Sequence, residues 1–146
     1  MAPSFREWLT GSYWRLDAPT EERAMNVDLE GRAADLLSAL RDRTWSLSGT
    51  IDAERLASAR PVAGFLYNRL LDERRIPYRF AFSGDDGRRY ELSGQKEWNA
   101  MAPFESVTLL AASIYDDAGE EVARATLRFD LRADWLRWLR ACGLFG

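Results

Sequence analysis

Apolar and polar residues alternate with period two along most of this chain, the signature of strands that bury one face. Trp8, Thr10, Ser12, Trp14 and Leu16 share one face of a first strand. Met25, Val27 and Leu29 alternate with Asn26 and Asp28 in a second, and Trp45, Leu47, Gly49 and Ile51 with Ser46, Ser48 and Thr50 in a third. Residues 62–70 give a fourth, less regular strand. Tyr78, Phe80 and Phe82 alternate with Arg79 and Ala81 in a fifth.

Two hairpins are signalled by turn chemistry, because Gly supplies the positive φ that tight turns require. Ser83-Gly84-Asp85-Asp86-Gly87 joins the fifth strand to a sixth over 89–93, and Asp116-Asp117-Ala118-Gly119 joins strands over 107–115 and 121–131. Ala123, Ala125, Leu127, Phe129 and Leu131 share a face of the last. The polar stretch 17–23, with Pro19, reads as a loop, and 54–60 as a second irregular stretch closed by Pro61.

Two segments break this rhythm. Ala34, Leu37 and Leu40 lie at helical spacing within 31–43, and Trp135, Trp138, Leu139 and Cys142 form an i, i+3, i+4, i+7 stripe within 134–142. Eight strands joined mainly by hairpins cannot leave long edges exposed without inviting aggregation. The expected fold is therefore one mainly β domain over 1–146: about eight antiparallel strands in a barrel or curved half-barrel, one internal helix and a short C-terminal helix. A two-sheet sandwich is the runner-up.

Composition narrows the function classes. A net charge of −3 and a pI near 5.1 lack the basic field of a nucleic-acid binder. No apolar run approaches the ~20 residues of a membrane span. The first residues lack the charged and apolar regions of a signal peptide, so a cytoplasmic location is the default expectation. Nearly every basic residue is Arg, with Lys96 the single lysine, a bias that points to a GC-rich bacterial genome.

Candidate chemistry is sparse. There is no His, and Cys142 is the single cysteine, so neither a His-based triad nor a zinc site is expected. The pairs Glu21–Glu22, Asp85–Asp86, Asp116–Asp117 and Glu120–Glu121 are carboxylates with no recognisable metal-ligand spacing, and three of them sit at or beside turns. No metal and no cofactor are expected. Lys96 shares parity with Tyr90, Leu92, Gly94 and Trp98, so an unbulged strand would aim it at the core. A bulge at Gly94, or a place at the barrel rim, would return its ammonium to water, and this is the favoured placement because buried charges are rare.

Several stretches resemble a β-rich accessory module fused to bacterial oxidoreductases of the glucose–methanol–choline family, the cholesterol-oxidase-like members. They are Arg75-Ile-Pro-Tyr-Arg-Phe-Ala-Phe, Asp86-Gly-Arg-Arg-Tyr-Glu-Leu-Ser-Gly-Gln-Lys96 and Ser106-Val-Thr-Leu-Leu, with the opening Phe5-Arg6-Glu7-Trp8-Leu9-Thr10-Gly11. Ser48-Gly49-Thr50-Ile51 and Gly64 fit the module's middle strands. The resemblance implies an accessory role beside lipid or sterol chemistry. It does not imply oxidase activity, since the flavin-binding G-x-G-x-x-G and the family's catalytic His have no counterpart here.

The leading expectation is a non-catalytic accessory or binding module for an apolar, lipid- or sterol-like ligand or for a partner protein. Its ligand wall would be Tyr78, Phe80, Phe82, Tyr90, Lys96 and Trp98. Trp8, Trp14 and Trp45 are further candidates for lining such a cavity, against the simpler reading that all these rings fill a core. A small barrel cyclase or isomerase working on a hydrophobic substrate is the second expectation, with Lys96, Tyr78 and Tyr90 as its polar groups. An interaction module with a filled core, working in a bacterial multiprotein complex, is the third.

Overall fold

The computed structural model describes residues 4–35, 37, 39, 43–99, 101 and 108–129. They form a closed barrel of eight antiparallel strands in sequence order: β1 (Ser4–Arg15), β2 (Ala18–Arg32), β3 (Thr44–Ala53), β4 (Ala57–Tyr67), β5 (Arg75–Ser83), β6 (Arg89–Glu97), β7 (Leu109–Tyr115) and β8 (Glu121–Phe129). Pairing of β1 with β8, from Leu9 opposite Phe129 to Arg15 opposite Ala123, closes the sheet and leaves no free edge. The barrel excludes the sandwich alternative.

The two ends differ. At one end, four short turns join β1–β2, β3–β4, β5–β6 and β7–β8. Gly87 and Gly119 each take φ of 79° there, in the two Asp-containing turns, a conformation that favours glycine. The opposite end carries the longer connections, including a single helical turn at Leu70–Glu73. Of the internal helix expected over 31–43, residues 36, 38 and 40–42 lie outside the described residues; Gly31 and Arg32 end β2 instead, and Ala39 N donates to Asp35 O at 3.0 Å. The helix expected over 134–142 lies wholly outside them.

The barrel interior is the core. Met25, Val27, Leu29, Trp45, Leu47, Ile51, Tyr78, Phe80, Phe82, Ala123, Ala125, Leu127 and Phe129 are buried, as the alternation predicts. The first strand is the exception, because its inner face carries Phe5, Glu7, Leu9 and Tyr13. Trp8 lies outside, 42% exposed, with the Arg6 guanidinium 4.9 Å over its ring, and Trp14 also faces outward. A charged residue inside and tryptophans outside reverse the phase that hydrophobicity alone assigns to β1.

Two loop expectations are corrected as well. Residues 18–23 belong to β2, and the irregular stretch at 54–60 shrinks to a turn before Ala57. The β1–β2 ladder runs to Tyr13 opposite Arg23 and, after a register shift that passes over 19–22, ends with Arg15 opposite Ala18. Pro19 does not stop it, consistent with proline's tolerance near strand starts and edges.

Candidate functional site

Glu7 on β1, Tyr78 on β5 and Lys96 on β6 meet inside the barrel. Lys96 Nζ donates to Glu7 Oε1 at 2.9 Å, and the Tyr78 hydroxyl donates to the same oxygen at 2.8 Å. Neither charged side chain has any solvent-exposed surface. The ammonium also lies 5.0 Å from the Tyr78 ring centroid and 5.3 Å from that of Phe129, where aromatic faces attract a cation. Glu7 Oε2 is buried and has no hydrogen-bond partner among the described residues.

The register explains why Lys96 points inward. β5 and β6 pair without a shift from Arg75–Glu97 to Ser83–Arg89, with Gly94 opposite Tyr78 and Lys96 opposite Ile76. The expected bulge at Gly94 is absent from this ladder. Glycine serves close packing instead: a Cβ there would stand 2.4 Å from the Ala111 carbonyl oxygen and 2.6 Å from Ala112 Cβ, on β7. The favoured placement of Lys96 in water is therefore overturned. An isolated buried ammonium would be costly, and the Glu7 carboxylate offsets that cost.

The expected site residues divide between the two ends. Tyr78 and Lys96 join Glu7 toward the end with the long connections. Phe82 and Tyr90 pair across β5 and β6 toward the short-turn end, with stacked rings 5.7 Å apart. The Tyr90 hydroxyl donates to Asp86 at 2.6 Å in the adjoining turn. Phe80 is buried between these pairs on β5. Lys96 and Tyr90 are six positions apart on one strand, a span of about 20 Å, so they cannot serve the same polar end of a small ligand. Trp98 follows the end of β6 and is half-buried, with the Arg74 guanidinium 5.7 Å from its ring.

The acidic pairs at the turns are engaged locally. Asp85 accepts from Ser58 N, Ser58 Oγ and Arg60 Nε at 2.9–3.0 Å, linking two neighbouring hairpins. Those bonds, led by Arg60, hold its carboxyl below the usual value. Asp86 is lowered too, first by the Tyr90 hydroxyl and then by Arg88 N–H. Burial, followed by the Asp86 hydrogen bond, raises the Tyr90 hydroxyl above its ordinary 10.0. Among the described residues, no group of three or more His, Cys, Asp or Glu side chains is placed to hold a metal. Three depressions lined by described residues lie on the outer wall; one of about 290 Å³ is bordered by Trp14, Ser93, Ser113 and Arg124.

Glu7 is the site residue that the sequence reading did not place. Two signals could have found it. Glu7 alternates with Phe5 and Leu9, so the opposite phase of β1 would put a carboxylate inside. A lysine on the inner face of β6 would then require such a partner. Comparison with protein-family models, curated proteins and solved structures finds no significant match.

Proposed function

We propose that the barrel is a non-catalytic binding module for an apolar small molecule whose polar end meets the Glu7–Lys96–Tyr78 cluster. The observation that carries this reading is the ion pair itself, held without solvent contact in an otherwise apolar and aromatic interior. A buried ion pair is a poor stabilising device, because desolvation offsets much of its attraction. An apolar site with a few convergent polar groups is the ordinary form of a small-molecule site. The resemblance to the oxidoreductase accessory module points the same way, toward lipid- or sterol-like ligands. Its motif stretches contribute Glu7, Tyr78 and Lys96, the three members of the cluster.

The test is tryptophan emission titrated with fatty alcohols, sterols and polyketide-like compounds. Trp45 is the expected reporter: it is buried against Phe5, with ring centroids 5.4 Å apart. A saturable change that is lost in Trp45→Phe and weakened in folded Phe80→Ala is the expected result. A flat response to every compound removes this reading and leaves the interaction module.

A second reading has its own support. A lysine and a tyrosine donating to one buried carboxylate oxygen form a set able to exchange protons with a substrate, as a cyclase or isomerase requires. Mass spectrometry of each compound after incubation with the wild-type protein separates the two: a carrier returns the compound unchanged, whereas an enzyme converts it and loses that turnover in folded Lys96→Met.

A further inference from the structure

Glu7 Oε1 accepts two hydrogen bonds, from Lys96 and Tyr78. Oε2 of the same carboxylate accepts none among the described residues, although it is buried. Unmet acceptors of this kind are rare in protein interiors, because each forfeits its bonds to water. The cluster therefore offers an incoming molecule an acceptor. The charge of that acceptor is already balanced by Lys96, so a cation is not required of the ligand.

We infer, on the reading that the barrel binds an apolar molecule, that its ligand class is an apolar alcohol whose hydroxyl donates to Glu7 Oε2, rather than a fatty acid. A carboxylate head would bring a second negative charge against Glu7 and, when ionised, has no proton to donate. An ether or ester head accepts only and would leave Oε2 unpaired. A hydroxyl satisfies the oxygen at no cost in net charge. Sites built to bond a particular hydroxyl discriminate strongly against analogues that lack it, because the protein group is then left buried and unpaired.

The experiment is calorimetric titration with three probes of matched chain: decan-1-ol, decyl methyl ether and decanoate. The wild-type protein is expected to bind the alcohol at least about tenfold more tightly than either of the others. In Glu7→Gln, confirmed folded by circular dichroism, an amide can present a donor where the carboxylate has none, and Lys96 loses its counter-charge. The alcohol's advantage over the ether should shrink toward parity, and decanoate should gain. Equal affinity for alcohol and ether, tighter binding of decanoate by the wild type, or unchanged ratios in Glu7→Gln would each overturn the inference while leaving ligand binding intact. No saturation with any probe would instead remove the binding reading and this inference with it. If Glu7→Gln does not fold, the wild-type ratios decide.

Discussion

Lys96 Nζ lies 2.9 Å from Glu7 Oε1 across the barrel interior, and 89 residues of chain separate the partners. Removing one member strands the other's charge without water. Glu7→Leu and Lys96→Met should each destabilise the barrel by about 3–5 kcal/mol, whereas the double variant should recover most of the loss or exceed wild-type stability. Urea unfolding of the four proteins of this cycle gives the answer. A double variant as unstable as the sum of the singles would mean that Glu7 and Lys96 contribute independently, with no coupling through the buried pair.

Tyr78 donates to the oxygen that Lys96 also engages. Tyr78→Phe removes that bond and keeps the ring beneath the ammonium, so its expected cost is smaller, about 1.5–3 kcal/mol for a bond to a charged acceptor. Combined with Lys96→Met, its effect should not add, because the two donors share Glu7 Oε1. Additive losses in urea midpoints would show that they act independently.

The strands and both Asp-containing hairpins were legible because their causes are local: alternation for Tyr78–Phe80–Phe82, and a glycine φ of 79° at Gly87 and Gly119. The phase of β1 was not. Hydrophobicity favours placing Trp8 and Trp14 inside, while the barrel buries Phe5, Glu7 and Leu9 and leaves Trp8 under Arg6. A charge is tolerated on the inner face only because Lys96 arrives from β6, and alternation within one strand carries no record of that partner. Strand parity marks Lys96 as unusual, but the role of Gly94 depends on its neighbours Ala111 and Ala112 across the ladder. The sequence equally could not separate Tyr90 from Lys96 functionally, since shared parity gives a face and not an end.

The hairpin at Gly87 can be tested directly. A Cβ at this position meets open space, so the cost of a substitution is conformational. Gly87→Ala should lose about 1–2 kcal/mol, whereas Gly87→Asn should lose less, because asparagine visits the left-handed region more readily. Thermal melts of the two variants check the order. Equal losses would place the cost elsewhere than in the backbone angle.

The short-turn end should carry a pH dependence of both signs. Asp85 and Asp86 titrate below their ordinary carboxylate value of 3.8, through Arg60 and Ser58 for Asp85, and through Tyr90 and Arg88 N–H for Asp86. A depressed carboxyl contributes stability that is fully present above its unfolded pKa and is lost as pH falls through its folded one. Tyr90 is raised above 10.0 by burial and by the Asp86 bond, so its contribution is complete below that value and is lost as pH rises through the folded pKa. Melting temperature should therefore form a plateau that falls in acid below about pH 4 and in alkali above about pH 10. Tyr90→Phe should flatten the alkaline fall and weaken part of the acid one, because Asp86 then loses its strongest donor. Asp86→Asn should flatten the acid fall, leaving the Asp85 share. It should also reduce the alkaline fall without abolishing it, since burial of the Tyr90 ring remains. Profiles in which Tyr90→Phe changes neither limb would show that the Tyr90–Asp86 bond contributes nothing measurable to the stability of the barrel.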